Sequence, residues 1–375
     1  MAKLLTVVGA TGTQGLSLID AALEDGTYKI RGLTRNPNSE KAAALARRGV
    51  EVVKADINDE QSLIRAFAGS HAIFAITDFF EPFITHGPER AIDIEVAQGI
   101  NMARAASKTA TLEHYVWSTL PNGNKLTDGK YIVPHFEGKN RIDDYIRSDK
   151  ALLAKTTFFW ITWYGNNFAY PIFTPNFLKT ANAYVQLSPA RPDTPIKAIG
   201  DPHKDIGVFA LSVLKQPGLT LRPQGRFVLA HSEDTTTGKL LSDWSEVTGK
   251  PSTYVQTSLD DFSAVWPGFG LEMGIMMAMW SELRDESWSG EEGLLTREEL
   301  GIKQSDLTTV KNAYNVMNWE ALLNVFTHDP AVSYATDEAA ERNREDATSR
   351  KRRTNVIKGN HTLGLKCVTL QPPPR

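Results

Sequence analysis

Three evenly spaced glycines stand directly after the first apolar run of the chain. Residues 4–8 are apolar except for one threonine, and the next seven residues are Gly9, Ala10, Thr11, Gly12, Thr13, Gln14 and Gly15. Where a strand turns into a helix, the first glycine permits the tight turn, the second leaves room for a pyrophosphate and the third lets the helix pack on the strand. The helix N-terminus then offers N–H groups to the phosphates. The pattern predicts a dinucleotide-binding turn; the alternative is a glycine-rich turn that binds nothing.

A cation takes the place of an acid at the end of the second apolar run. Residues 29–34 lead into Arg35, Asn36 and Pro37, without the carboxylate that holds the ribose 2′-hydroxyl in NAD sites. A guanidinium suits a 2′-phosphate, because its planar fork bonds phosphate oxygens in pairs. We therefore expect NADP(H) as the cofactor, the alternative being a solvated surface arginine. After the third run, Asp56 and Ile57 are expected to border the adenine, or Asp56 to cap a helix.

The elements that must position these residues alternate along the first 165 residues. The sequence predicts strands over residues 4–8, 29–34, 51–54, 72–76, 114–118 and 157–163. It predicts helices over residues 15–24, 40–48, 59–67, 88–108 and 139–148, with starts at Asn38 or Ser39, Asn58 or Asp59, and Gly87 with Pro88. This alternation favours an α/β fold, a Rossmann-type doubly wound parallel sheet whose topological switch lies at the first strand.

Beyond residue 165 the alternation becomes irregular and prolines punctuate short segments. Helices are expected over 203–215, 237–248 and 259–285, and strands over 196–199 and 226–230. We predict an NADP-binding Rossmann domain over 1–165 and a smaller, irregular α+β substrate lobe over 166–336, interleaved with the same sheet. Residues 337–375 are predicted to be a charged, partly disordered extension.

Composition narrows the class of protein. The net charge of −3 gives no general attraction to nucleic acid. A single cysteine, Cys367, and histidines outside metal-ligand spacing predict no disulfide and no metal site. No apolar run reaches the length of a membrane span or a signal-peptide core, so a cytoplasmic protein without membrane contact is expected. The basic run from Arg350 to Arg353 is either a nuclear address or part of a solvated helix.

Several stretches together resemble the NmrA-like family, atypical members of the short-chain dehydrogenase superfamily. The resemblance covers roughly residues 3–300. It rests on the glycine turn and on Thr34-Arg35-Asn36-Pro37, Ala55-Asp56-Ile57, Thr77-Asp78-Phe79-Phe80, the run 133–139 and Asp144-Tyr145-Ile146. It implies a Rossmann fold with a smaller carboxyl-terminal lobe, and it adds Thr77 to the expected cofactor contacts.

The resemblance implies two functions from different classes. The first is an NADPH-dependent oxidoreductase that reduces a carbonyl or imine of a small organic molecule, in fungal secondary metabolism. The alternative is a non-catalytic NADP(H)-sensing regulator that binds a protein partner. A homo-oligomer is left open in both cases.

The superfamily's catalytic pattern is present with one replacement. Such enzymes carry a serine at the end of the fifth strand and a tyrosine four residues before a lysine, the tyrosine being the proton donor and the lysine holding the nicotinamide ribose. Here Ser118 and Lys139 match, but His135 stands at the tyrosine position. Histidine can donate a proton near neutral pH, so His135 or a bound water is the expected donor. The alternative is a histidine that packs at a helix entry.

Other residues complete the list of candidates. Tyr131 and Tyr145 are reserve proton donors. Because residues 160–168 end a strand at the expected crevice, Asn166, Asn167 and Phe168 are candidates for the pocket, with Asn167 also near the cofactor. Trp160 and Phe158 are expected in the core, and Asp205 as a structural cap or tie.

Overall fold

The structure, a computed structural model, describes residues 2–328. Its strands are β1 (Lys3–Val7), β2 (Tyr28–Thr34), β3 (Glu51–Lys54), β4 (Ala72–Ala75), β5 (His114–Thr119), β6 (Thr156–Ile161), β7 (Trp163–Tyr164), β8 (Asn176–Leu178), β9 (Ala183–Ser188), β10 (Pro195–Ile199), β11 (Arg226–Ala230), β12 (Glu233–Thr236) and β13 (Ser252–Gln256). Its helices are α1 (Thr13–Asp25), α2 (Glu40–Arg47), α3 (Glu60–Phe67), α4 (Phe80–His86), α5 (Pro88–Ser107), α6 (Gly123–Leu126), α7 (Pro134–Ser148), α8 (Lys150–Leu153), α9 (Asp205–Lys215), α10 (Pro217–Thr220), α11 (Thr237–Thr248), α12 (Leu259–Val265), α13 (Phe269–Leu283), α14 (Val310–Val316) and α15 (Trp319–His328). Short 3-10 turns cover Gly165–Ala169, Arg284–Trp288 and Gln304–Asp306.

Seven parallel strands form the central sheet in the order β11-β6-β5-β4-β1-β2-β3. The predicted α/β class and the switch at the first strand are confirmed, since β1 lies between β2 and β4. Strand β11 comes from the second half of the chain and pairs with β6, so the two halves share one sheet. Two small sheets, β12-β10-β7 and β13-β9-β8, lie outside it.

Alternation along the central strands sends successive side chains to opposite faces. On β5, Tyr115 and Trp117 belong to the hydrophobic core shared with α3, α5 and α7, whereas Val116 belongs to the core shared with α1 and α9. Helix α5 packs closely on α7, because a Cβ at Gly99 would overlap Ile142 and a Cβ at Gly138 would overlap Glu95. Glycine at these two positions therefore fixes the distance between the helices that flank the site.

Most helices and strands predicted in the first half begin and end within two residues of the observed bounds. The three predicted helix-start signals are confirmed. Ser39 and Asp59 cap α2 and α3, and Pro88 opens α5. The helix predicted over 139–148 begins earlier, at Pro134. The strand predicted over 157–163 ends at Ile161, before β7.

One predicted helix of the second half is wrong. The helix expected over 259–285 is broken into α12 and α13 at Trp266, Pro267 and Gly268, where Gly268 has φ 90° and the proline cannot donate to the helix. Helix α4 and strands β8, β9, β12 and β13 were not predicted. Residues 337–375, with Cys367 and the basic run at Arg350, lie outside the described residues. None of the helices between residues 2 and 328 combines the length and apolar character needed to cross a bilayer.

Candidate functional site

The glycine turn joins β1 to α1 at the carboxyl edge of the sheet. Gly9 has φ 66°, a conformation that favours glycine, and a Cβ at Gly15 would overlap the Gly9 carbonyl. A Cβ at Gly12 would meet only the Gly9 oxygen, at 3.5 Å, so the surrounding protein does not require glycine there. The N-cap residue of α1 is Gly12 itself, which has no side chain to cap the helix, and the first turn holds no acid. An open position at Gly12 before such a helix end fits an anionic pyrophosphate.

Other residues of the turn serve different contacts. Ala10 is buried, and its backbone N–H donates to the Leu33 carbonyl. The Thr11 side chain is half-buried. The Gln14 amide joins the turn to two distant strands, since Nε2 donates to Tyr164 Oη at 2.9 Å and Oε1 accepts from Ser118 Oγ at 2.7 Å.

Ser118 lies apart from the other two predicted catalytic residues. Its neighbours on β5, Trp117 and Thr119, both donate to Asp143 on α7, at 2.7 and 3.0 Å. Because side chains alternate along a strand, Ser118 faces the opposite side and contacts Gln14. The structure therefore places Ser118 with the dinucleotide turn and does not bring it together with Lys139 and His135.

Arg35 follows the end of β2 and is exposed, as a ligand for a 2′-phosphate must be. Its Nη1 lies 2.5 Å from Oε1 of Glu81, the second residue of α4. Both side chains are more than half exposed, so this ion pair contributes little to stability, and a phosphate dianion could take the place of the carboxylate.

The residues predicted near the adenine have local partners. Asp56 Oδ1 accepts from the backbone and side-chain amides of Asn58, so it closes a turn, and the cap of α3 is Asp59 instead. Ile57 packs against the core, and its carbonyl accepts from the Asn101 amide. Asn167 lies half-buried in the 3-10 turn, where its carbonyl accepts from the N–H of Tyr170.

Lys139 is held in a buried cluster at the end of β4. Its Nζ donates to Thr77 Oγ1 at 2.8 Å and lies 3.0 Å from Glu95 Oε1 on α5. The Thr77 hydroxyl donates to the same carboxylate oxygen at 2.7 Å. Glu95 is fully buried, and its Oε2 has no hydrogen-bond partner within residues 2–328. The cluster therefore concentrates one cation and one incompletely satisfied carboxylate beside the glycine turn, since Ile76, next to Thr77, would lie 3.1 Å from a Cβ at Gly9.

His135 occupies the second position of α7, one turn before Lys139. Its ring Nδ1 and its backbone N–H both reach Oε1 of Glu272, in the first turn of α13. With Glu272 ionised, its oxygens only accept, so Nδ1 would be the protonated nitrogen of this contact. His135 is 8% exposed. No described residue bonds to its Nε2, and this atom is not fully buried. Nε2 is thus the ring atom left to face a ligand.

Aromatic rings surround the histidine. The centroid of its ring lies 4.7 Å from Phe136, 5.5 Å from Phe80 and 6.1 Å from Phe79. Phe80 also stacks on Phe269, the first residue of α13, at 6.3 Å. These rings restrict the imidazole and cover most of it, which strengthens its electrostatic interaction with Glu272.

The remaining candidates have structural contacts. Asp205 is fully buried, accepts from the N–H of Thr308 at 3.0 and 3.1 Å, and has its pKa raised to about 6 by burial, so the expected tie is present. Tyr131 Oη donates to Glu282, and Tyr145 Oη accepts from Arg104.

Residues 158–168 divide between core and turn. Trp160 and Phe158 are buried in the core, as predicted. Phe168 is buried too and stacks on Tyr314 at 5.5 Å, and it lines a cavity together with Trp163, Gln186 and Trp280. Asn166 lies half-buried in the 3-10 turn.

Asp143 extends the polar face of α7 by one further turn. Burial raises the pKa of this carboxyl to about 8, although the hydrogen bonds from Thr119 and Trp117 act in the opposite direction. The folded protein therefore keeps this proton up to about pH 8, whereas the unfolded chain loses it near the ordinary aspartate value of 3.8. The free energy of unfolding should fall by about 1.4 kcal/mol for each pH unit across that interval because of this group.

We expect Asp143→Asn to remove this pH dependence. Urea unfolding at several pH values between about 5 and 8 should show the wild-type protein losing stability relative to the D143N variant as the pH rises. Asp144→Asn, at an exposed position of the same helix, is the matched control and should follow the wild type. Parallel stability curves for wild type and D143N would contradict the assignment.

A parallel sheet with a glycine turn at its switch point defines a Rossmann-fold protein of the dinucleotide-binding type. The chain belongs to the NmrA-like family, whose family model matches residues 1–314. Its relatives include the NmrA-like family domain-containing oxidoreductase hkm9 of Aspergillus hancockii, which is 31% identical over 265 residues, 67% of this chain and 74% of that protein.

Solved structures share the fold. The transcriptional regulator NmrA in complex with NADP superposes with a TM-score of 0.67 at 20% identity, over 88% of this chain and 99% of NmrA. The NADPH-dependent quinone oxidoreductase QOR2 of Escherichia coli, complexed with NADPH, has a TM-score of 0.61 at 20% identity, over 86% of this chain and 99% of QOR2. At these identities the likeness concerns the fold.

Proposed function

We propose that this protein is an NADPH-dependent oxidoreductase that reduces a carbonyl or imine carbon of a small organic molecule. The observation that carries the proposal is the arrangement on α7. Lys139 reaches the end of β4 beside the glycine turn, and one helical turn away the Nε2 atom of His135 has no partner among residues 2–328. A proton donor and a cation one turn apart at the switch point suit a reduction that needs both.

The residues present fit the cofactor. The open position at Gly12 and the N-terminus of α1 would take the pyrophosphate, and Arg35 would take the 2′-phosphate. Asp56 and Ile57 would border the adenine, and Thr77 and Asn167 would lie along the nicotinamide half. When bound, the nicotinamide supplies the hydride for the substrate carbon.

The protein's own residues would supply the remaining chemistry. Lys139 would bond the ribose hydroxyls and so exchange part of its contact with Glu95 for the cofactor. His135 would give the proton on Nε2 to the oxygen or nitrogen of the substrate. The aromatic side chains Phe79, Phe80 and Phe136 would exclude bulk water from this proton transfer.

The relatives support an oxidoreductase, because several curated members of the family are named as such, including hkm9 and cpsB of Aspergillus campestris. A place in fungal secondary metabolism belongs to the same proposal, and its support is the fungal origin of these relatives and the family resemblance of the sequence.

The test of the proposal is turnover with purified protein. NADPH and a panel of ketones, aldehydes and imines are incubated with the full chain, and oxidation is followed at the nicotinamide absorbance band. We expect at least one carbonyl or imine compound to be reduced. NADPH binding without turnover across the panel would overturn the enzyme proposal and favour the sensing regulator.

Cofactor preference is tested separately by Arg35→Ala. Loss of a charge-assisted phosphate contact should weaken NADPH binding by about 1.5–3 kcal/mol, roughly ten- to a hundredfold, and leave NADH binding nearly unchanged. Titration of the ligand-free protein with each cofactor measures both dissociation constants. Arg31→Ala, at a residue of β2 whose side chain bonds Glu51 and the Ala66 carbonyl, is the control and should not separate the two cofactors. Equal weakening of NADPH and NADH by R35A would remove the 2′-phosphate assignment.

A further inference from the structure

Glu272 is a buried carboxylate for which the proposed function has so far given no role. It comes from α13, in the second half of the chain, and its side chain is only 1% exposed. Its Oε1 is the hydrogen-bond partner of both the backbone N–H and the ring Nδ1 of His135. Its Oε2 is buried and has no hydrogen-bond partner in the described part of the chain.

We propose that Glu272 is the positioning residue of His135, holding the ring so that Nε2 is the atom that donates the proton. This inference rests on the proposed function, in which His135 is the donor. A carboxylate on Nδ1 fixes which ring nitrogen is bonded within the protein and leaves the other for the ligand. The same carboxylate lies against the charge of the imidazolium that donates the proton, because that charge spreads over both nitrogens.

A purely structural role explains less of the geometry. Glu272 does satisfy one free N–H at the start of α7, but an uncharged side chain could do this without burying a carboxylate. Burying an ionised carboxylate with one oxygen unpaired is strongly unfavourable unless a cation compensates for its charge. No lysine or arginine among the described residues forms an ion pair with Glu272, so the group available to compensate for its charge is the His135 ring.

The packing around the pair holds it in place. Phe269 stands three residues before Glu272 on α13 and stacks on Phe80, which faces the His135 ring. The break before α13 places this helix start against α7, and Gly270 packs on the backbone of Ser263 in α12. The proton donor is therefore completed by a helix from the other half of the chain.

The proton balance of the step is simple. The N–H bond at Nε2 breaks, its electron pair stays on the ring, and the proton joins the oxygen or nitrogen of the substrate, while the carbon would receive the hydride that bound NADPH supplies. The ring is left neutral with its proton on Nδ1, still held by Glu272. Water at the exposed edge then returns a proton to Nε2, and Glu272 remains ionised throughout.

The first experiment needs no substrate. Full-length protein with ¹⁵N-labelled histidine is studied by NMR without ligand, and the His135 ring signals are assigned by their loss in His135→Gln. We expect a strongly deshielded Nδ1 proton in the wild type, and its upfield shift or loss in Glu272→Gln. Glu272→Asp keeps the charge and should restore part of the shift. Identical His135 signals in wild type and E272Q would overturn the inference.

The second experiment measures kcat and NADPH binding in the same variants. E272Q should lower kcat by about 10²-fold and leave the dissociation constant of NADPH unchanged. Glu282→Gln, a change at an exposed glutamate of the same helix, is the matched control and should keep the wild-type kcat.

The two proposals can fail separately. Loss of kcat in H135Q but not in E272Q would overturn the role of Glu272 and leave the proposed function standing. An NMR shift in E272Q with no turnover of any compound by the wild type would overturn the proposed function instead, and would leave Glu272 as the residue that orients His135.

Discussion

His135→Gln is expected to lower kcat by about 10²- to 10⁴-fold, the usual contribution of a positioned general acid. Glutamine is similar in size and can still accept or donate a hydrogen bond, but it has no proton to release near neutral pH. The ring of His135 contacts the aromatic side chains and Glu272, whereas the predicted cofactor contacts lie at the glycine turn and Lys139. The dissociation constant of NADPH should therefore stay unchanged while kcat falls, as stopped-flow and titration measurements would show.

Two further variants sharpen this prediction. His135→Ala leaves a space that free imidazole can enter, so added imidazole should restore part of the lost rate if the role is proton transfer. His86→Gln, at an exposed histidine on α4, should behave as the wild type. Wild-type kcat in H135Q would show that a bound water or another group is the donor.

The dinucleotide part of the site could be predicted because its signals are local. Gly9, Gly12 and Gly15 act within one turn of chain, and Arg35 stands directly after the strand that positions it. The start of α7 was predicted five residues too late, although Pro134, which suits the first turn of a helix, marks it in the sequence. Such short-range patterns need no knowledge of which distant segments meet.

The charged partners of the site could not be found in this way. Glu95 lies 44 positions from Lys139, and Glu272 lies 137 positions from His135, so only the packing of α5 and α13 on α7 brings them together. One signal was available for Ser118. The alternation of β5 puts Tyr115, Trp117 and Thr119 on one face and Ser118 on the other, and the aromatic residues mark the face that meets α7.

Helix α7 emerges as the element that organises the polar interior. His135, Lys139 and Asp143 are spaced by four residues and so lie on one face. Each meets a partner from a different element, namely Glu272 on α13, Glu95 on α5, and Trp117 with Thr119 on β5. Breaking any of these contacts should therefore affect both the stability of the fold and the geometry of the site.

Lys139→Met is expected to destabilise the ligand-free protein by about 3–5 kcal/mol, the cost of leaving a buried charge without its partner. Glu95 is fully buried, and Lys139 is the only cation that the described residues place against it. Methionine fills a similar volume, so the loss reports the charge and not a cavity. Urea unfolding without cofactor measures the change, and keeps the effect on folding apart from the weaker NADPH binding expected when the ribose contact is lost.

A double-mutant cycle decides whether loss of the ion pair between Lys139 and Glu95 causes the lower stability of K139M. Glu95→Gln removes the charge that Lys139 leaves uncompensated, so K139M/E95Q should be destabilised by less than the sum of the two single variants. Glu95 Oε2 is buried, and a Cβ at Gly138 would overlap it, so a bare carboxylate here is poorly solvated and the coupling should be large. Additive effects would mean that the carboxylate finds solvent or another partner when Lys139 is removed, and that the cluster is looser than its distances indicate. A coupling energy of several kcal/mol would instead mean that the fold holds Lys139 beside the glycine turn before any cofactor binds.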